Sequence, residues 1–221
     1  GDVRSAVRQT GAVTVGIDVG GTKILGVAAY ESGEIVARLQ APTPKDPTQV
    51  PDAISGVAAD LAGQVGSPAA VGVGVPGLVD RQGVLHYGPN VPGVVGLDIS
   101  GHIRGRHGWT TVAENDASCA AVAEHRLGAA RGHAHAVIVT QGTGIGGGLI
   151  VNNSLLRGAN GFAGEPGHML IDRFGPRCAC GTQGCWEALA SGAGLANIAR
   201  QHAEKGRAGR IVALAGGDPG H

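Results

Sequence analysis

The stretch GHMLIDRFGPRCACGTQGCWE, residues 167–187, gathers His168, Cys178, Cys180 and Cys185 around a glycine-bearing loop and ends on Glu187. Three thiols and an imidazole supply the donor set of a closed tetrahedral zinc site, which leaves no position for a substrate water. Reduced thiols that merely fill a loop and a redox pair are the competing readings. Clustering of this density around Gly181 and Gly184 favours structural Zn2+. The fourth cysteine, Cys119, stands alone in ENDASCAAVAEH, and no hydrophobic signal peptide precedes residue 13, so a secreted disulfide framework is not expected. Glu165 and Glu187 flank the knot and would be held in place by it.

Two glycine-rich loops carry a second kind of chemistry. In GIDVGGTK, residues 16–23, Gly20 and Gly21 let backbone amides approach a phosphate, Thr22 offers a hydroxyl and Lys23 a cation. The spacing is not that of a Walker A loop, and a plain hairpin turn is the bland alternative. Asp18, read as a carboxylate at the end of a buried strand, needs a partner, and nucleotide-bound Mg2+ is a suitable one. TQGTGIGGG, residues 140–148, repeats the chemistry and contains the dinucleotide spacing as Gly142, Gly144 and Gly147. The strand-like GGLIVNN follows it where a Rossmann fingerprint requires a helix, so dinucleotide binding is not expected. Two strand-turn-strand loops suggest instead a pair of hairpins gripping one triphosphate. In VAENDASCAAVAEH, Asn115 and Asp116 fall between a short strand and a strong helix. Asp116 there is a natural helix cap, and it could equally accept a proton from a substrate hydroxyl.

The elements that must position these residues alternate between strands and helices. AVTVGI (12–17), ILGVAAY (24–30) and EIVARLQ (34–40) read as strands, with ESG a tight turn between the last two. DAISGVAADLAGQV (52–65) has helical spacing, AAVGVGVPG (69–77) returns to a buried strand, and residues 78–96 carry too many turn residues for one element. A helix over 98–108, a strand over 110–114, a helix over 116–130, strands over 135–140 and 147–153 and a helix near 194–206 complete the pattern. The remaining tail, RAGRIVALAGGDPGH, brings no closing strand. This alternation implies a layered α/β fold with ligands at the strand ends.

The 221 residues balance seventeen basic against seventeen acidic side chains. No broad field invites nucleic acid or an anionic membrane, and no apolar run approaches the roughly 20 residues of a membrane span. The 41 glycines cluster in loops rather than following a collagen period. A small-molecule partner is expected.

Taken together, GIDVGGTK, GVPGLVD, GPN, VAENDA, TQGTGIGGG, GEPGHM and CACGTQGCWE resemble the ROK family of sugar kinases and sugar-responsive repressors, above all its glucokinase-like members, over roughly residues 13–195. The resemblance implies an α/β chain of actin-like ATPase (ribonuclease H-like) fold, with two lobes and a cleft where sugar and ATP meet. The lobes would span 13–117 and 118–221 after a leader over 1–12. It also implies ATP-dependent phosphorylation of a hexose at its 6-hydroxyl, most simply glucose, with another hexose such as N-acetylmannosamine or fructose as the alternative, and with Mg2+ on the nucleotide. Asp116 resembles the catalytic base, and Asn90, Asn115, Asp116, Glu165, His168 and Glu187 the sugar ligands. Asp18, Gly20, Gly21, Thr22, Lys23, Thr143, Gly144, Gly146 and Gly147 resemble the nucleotide site. His168, Cys178, Cys180 and Cys185 look like the family's zinc signature, with His168 serving metal and sugar from its two ring nitrogens. A cytoplasmic homo-oligomer, dimer or tetramer, acting in glycolysis is expected. Repressors of the family carry a helix-turn-helix domain ahead of the first glycine loop, for which the twelve residues before Val13 are too few. Family kinases continue well past the point where this sequence stops, so the second lobe is expected to be incomplete. Gln141 stands where an apolar residue is more usual.

Overall fold

The computed structural model describes residues 11–88, 91–207 and 209–217. The chain divides into two compact units, one ending at Asp116 and the other beginning at Ala117. Residues 1–10, the greater part of the expected leader, lie outside the described residues.

The first unit is built on β1 (Val13–Val19), β2 (Lys23–Tyr30) and β3 (Ile35–Pro42), an antiparallel meander, followed by α1 (Val50–Val65) and β4 (Ala70–Val75). The sheet is completed by β7 (Thr111–Asn115), in the order β3-β2-β1-β4-β7, with β4 parallel to β1 and β7 parallel to β4. Alternation along β1 sends Val15, Ile17 and Val19 into the core, where they meet Ile54, Val57 and Leu61 of α1. Each such fully buried aliphatic chain contributes on the order of 1.5–3 kcal/mol. Gly26 of β2 sets the distance between helix and sheet, because a Cβ there would come 2.6 Å from Val57 Cγ2's sister methyl Cγ1 and 2.7 Å from Leu61 Cδ1. The helix α2 (Ile99–His107) is capped at its start by Asp98, which accepts from the Gly101 amide at 2.6 Å, and ends at Gly108 in the left-handed region.

The same alternation corrects one reading of the sequence. Asp18 lies on the face of β1 opposite Ile17 and is exposed, so burial does not oblige it to find a partner. The loose segment over 78–96 also hides a small hairpin, β5 (Leu78–Val79) with β6 (Leu85–Tyr87). Asp80 organises its turn, accepting from the amides of Gln82 and Val84, both at 2.9 Å, and pairing with His86 Nε2 at 2.7 Å.

The second unit opens with the rest of α3 (Asp116–Leu127), then β8 (Ala136–Gln141), β9 (Ile145–Val151) and β10 (Ser154–Leu155), an antiparallel sheet in the order β10-β9-β8. The expected strand over 147–153 stops at Val151, because Asn152 and Asn153 both adopt positive φ, 50° and 61°, and turn the chain into β10. The helix predicted over 116–130 ends at Leu127, before Gly128. Ala117 of α3 sits over Gly146 of β9, where a Cβ would leave only 2.9 Å to the alanine methyl. Beyond the cysteine loop come α4 (Trp186–Ala190), α5 (Gly192–Glu204) and α6 (Gly209–Leu214). The short α4 and the tail helix α6 have no counterpart in the sequence reading, since neither is long enough to show a periodicity. Among the described residues no helix is long and apolar enough to cross a membrane.

Candidate functional site

In the first unit the turn between β1 and β2 is closed by the Gly20 amide, which donates to the Lys23 carbonyl at 2.8 Å. Gly21, Thr22 and Lys23 are exposed at its tip. Thr43, just past β3, holds this turn from behind. Its hydroxyl donates to the Gly20 carbonyl at 2.7 Å and its amide to the Thr22 carbonyl at 3.0 Å. Sequence reasoning missed Thr43; the signal was available in register, since pairing Lys23 with Pro42 brings the next residue beside Thr22.

At the far end of the same sheet β7 runs into α3 without a loop residue between them. Asn115 and Asp116 therefore sit at the carboxyl end of a parallel strand, the edge at which open α/β sheets bind ligands. The Asn115 amide group donates to the Gly77 carbonyl at 3.1 Å and to Asp116 Oδ1 at 3.3 Å, and its backbone amide donates to Glu114 Oε1 at 3.1 Å. Both side chains are half-buried, enough to be fixed and still reachable. Asn90 lies outside the described residues.

In the second unit the three-residue turn Gly142–Gly144 joins β8 to β9, and Thr143 is exposed on it. Gly146 and Gly147 lie within β9 itself. A Cβ on Gly147 would come 2.6 Å from the Ile138 carbonyl and 2.7 Å from Pro166 Cγ, so that glycine seats the short helical turn Pro166–His168 against the strand. Gly167 does the same from the other side, where a Cβ would overlap the Ile145 carbonyl. Glu165 and His168 are thereby delivered to the start of β9.

The cysteine loop folds as an irregular hairpin. Cys178 donates its amide to Thr182 O at 2.8 Å, Gly181 donates to Cys178 O at 3.0 Å, and Gly184 donates to Pro176 O at 2.8 Å. Gly181 and Gly184 have φ of 92° and 80°, and a Cβ on Gly184 would overlap the Asp172 carbonyl. This backbone brings one donor atom each from His168, Cys178, Cys180 and Cys185 within 4.8 Å of one another. Cys178 Sγ lies 3.7 Å from His168 Nδ1, and Cys180 Sγ lies 3.6 Å from Cys185 Sγ. Metal–sulfur bonds of about 2.3 Å and a metal–nitrogen bond of about 2.0 Å around a tetrahedron require edges of roughly 3.5–3.8 Å, and these two separations match such edges. All three thiols are free. Cys180 is held down to about 7, chiefly by the Thr182 amide that hydrogen-bonds it. Burial pushes Cys178 up and Cys185 to about 12, so these two need a cation to become thiolates at neutral pH.

Glu187, in the first turn of α4, connects the loop to the glycine turn. Its Oε2 accepts from the Ile145 amide at 2.9 Å and its Oε1 lies 3.9 Å from Cys178 Sγ.

Two units, each opening its sheet with an antiparallel meander and a glycine turn after the first strand, define the class of actin-like ATPases with a ribonuclease H-like fold. The chain belongs to the ROK family, whose profile matches residues 14–219. It is 39% identical to the glucokinase of Streptomyces coelicolor over 211 residues, covering 94% of this chain and 66% of that protein. The xylose repressor of Bacillus subtilis is 36% identical over 183 residues, covering 80% of this chain and 47% of the repressor. The crystal structure of a ROK family glucokinase from Streptomyces griseus in complex with glucose and AMPPNP superimposes with a TM-score of 0.79 at 36% identity, covering 95% of this chain and 69% of that one. The chain thus spans just under two thirds of the length of the curated glucokinase it matches.

Proposed function

We propose that the protein is an ATP-dependent hexose kinase acting on the 6-hydroxyl of glucose. The observation that carries the reading is the β7–α3 junction, where Asn115 and Asp116 stand side by side at a strand end in a chain 39% identical to a glucokinase. In this reading Asp116 accepts the proton of the sugar hydroxyl as that oxygen attacks the γ-phosphorus. The new bond joins the sugar oxygen to phosphorus, and the bond from phosphorus to the bridging oxygen of ADP breaks. Asn115, Glu165, His168 and Glu187, with Asn90, hold the remaining hydroxyls; amides and carboxylates satisfy a ring of hydroxyls with stereochemical choice.

The nucleotide phosphates are received by the Gly20–Lys23 turn, with Thr22 and Lys23 as side-chain donors, and by the Gly142–Gly144 turn, with Thr143. Gly146 and Gly147 support the latter from within β9. Mg2+, when bound, neutralises charge on the phosphates, and exposed Asp18 is free of the core to face it. Zinc fits the sulfur-rich donor set of His168, Cys178, Cys180 and Cys185, and its role is to fix the loop that carries Glu165, His168 and Glu187. His168 turns Nδ1 to the sulfurs and leaves Nε2 on the opposite side of its ring for sugar. We place the enzyme in the cytoplasm as a homo-oligomer that feeds hexose 6-phosphate to glycolysis. The two lobes run over residues 13–117 and 118–221.

A second reading has a specific observation in its favour, the 36% identity to a xylose repressor. A coupled assay of the full-length protein with glucose, mannose, fructose, N-acetylmannosamine and xylose, using ATP or polyphosphate as donor, separates the two. Turnover with glucose and ATP supports the kinase. Sugar binding without phosphorylation of any of them supports the regulator.

A further inference from the structure

The Gly142–Gly144 turn makes more contacts with the start of α5 than a hairpin tip needs. The Gly142 carbonyl accepts from the Gly192 amide at 2.8 Å and the Thr143 carbonyl from the Ala193 amide at 3.1 Å. The third amide of that helix, Gly194, is taken by the Ser191 hydroxyl at 3.0 Å. The N-terminal donors of α5, which would otherwise suit an anion, are spent on the carbonyl side of the turn. The opposite side of the turn is then amide-rich, and among the described residues none accepts from the amides of Thr143 or Gly144. Close approach is allowed from both partners: a Cβ on Gly192 would come 2.9 Å from the Gly142 carbonyl, and one on Gly144 would come 2.5 Å from Glu187 Oε2.

One side chain completes this docking. Gln141, the last residue of β8, donates from Nε2 to the carbonyl of Ala190 at 2.9 Å. Ala190 ends α4, a helix of only five residues, so its carbonyl has no partner further along that helix. An apolar side chain at 141 cannot supply this donor.

We propose that Gln141 is a positioning residue for nucleotide, pinning the Gly142–Gly144 turn to the α4–α5 corner so that its amides are preset toward the phosphates. This rests on the kinase reading above. Gln141 touches no substrate atom; it acts by fixing the turn whose carbonyls α5 holds. Loss of the pin lets the turn move relative to α5, and this weakens nucleotide more than sugar.

The test is Gln141→Met in the full-length protein, a change that keeps side-chain length and removes the donor. The expected result is a rise in the KM for ATP of about fivefold, the weight of one neutral hydrogen bond, with the KM for glucose within about twofold of the parent. Hydrogen exchange at the amides of Gly142, Ile145, Gly192 and Ala193 should accelerate while that of β1 and β4 stays unchanged. An active variant with unaltered KM for ATP and unaltered exchange at those amides overturns the pin, as does an equal rise in both KM values. A parent protein that binds no nucleotide overturns the kinase reading instead, and the nucleotide role of Gln141 with it.

Discussion

Glu187 accepts the amide of Ile145 at 2.9 Å while its second oxygen lies 3.9 Å from the sulfur of Cys178. One carboxylate thus spans from the metal-competent loop to the first residue of β9, directly after the glycine turn. A disturbance of the cysteines can therefore reach that turn through this side chain, beside the packing of the Pro166–His168 turn against β9.

Metal removal should therefore act on more than the loop. Chelation of the purified protein is expected to release one zinc per chain, raise sugar KM, and accelerate hydrogen exchange at Ile145. Iodoacetamide should then modify the exposed Cys180 first, with a rate that climbs as pH rises through about 7 and levels off above, while buried Cys178 and Cys185 lag. Mass spectrometry of the alkylated peptides reads this directly. Equal labelling of all three in the metal-free protein would contradict the environments described here.

How much of this was legible in the sequence depended on the range of the signal. The gathering of His168, Cys178, Cys180 and Cys185 was, because four ligand-type residues in a short stretch leave a mark that the sequence alone exposes. Strands β1 to β4 were, because their apolar periodicity is local. What escaped were relations fixed by register and docking. The exposure of Asp18 follows from which face of β1 the helix covers, and periodicity names a face without saying where a single acid falls. Thr43 behind the first turn, and the contact of Gln141 with Ala190, join positions 23 and 49 residues apart. The glycines of β9 read as phosphate ligands in sequence, whereas Gly146 and Gly147 also have packing reasons, against Ala117 and Pro166, that only the folded chain reveals.

Gly26 provides a test of the first unit's packing. Gly26→Ala places a methyl against the terminal methyls of Val57 and Leu61, both buried in the core and confined by their neighbours. Overpacking of this kind costs typically 1–3 kcal/mol, partly offset by the strand's gain in losing a glycine. Denaturant unfolding should show a lowered midpoint with an unchanged slope. A variant as stable as the parent would mean that α1 can shift from the sheet at no cost.

Acid should loosen the β5–β6 hairpin once the Asp80 carboxylate is protonated. The hydrogen bond from His86, followed by the amide of Val84, holds the Asp80 carboxyl below its ordinary value of 3.8. A lowered carboxylate contributes stability that is fully present above the unfolded value and is lost as pH falls through the folded one. Asp80→Asn should therefore flatten the acid limb of the stability curve below about pH 4 and leave the curve near pH 7 parallel to the parent's. Thermal melting across pH 2–7 measures the difference, and identical acid limbs would remove Asp80 from the account.

The kinase reading stands or falls on Asp116. Asp116→Asn keeps the size of the side chain and much of its ability to cap α3, so stability should change by no more than about 1 kcal/mol. Glucose affinity should change little, because an amide still hydrogen-bonds the hydroxyl. Turnover should fall by roughly 10² to 10⁴, the usual range for losing a general base. The most direct measurement is kcat for glucose and ATP in the full-length, zinc-loaded Asp116→Asn protein, read beside its melting temperature. Normal melting with lost turnover is the predicted result; near-parental turnover, whatever the melting temperature, would contradict it.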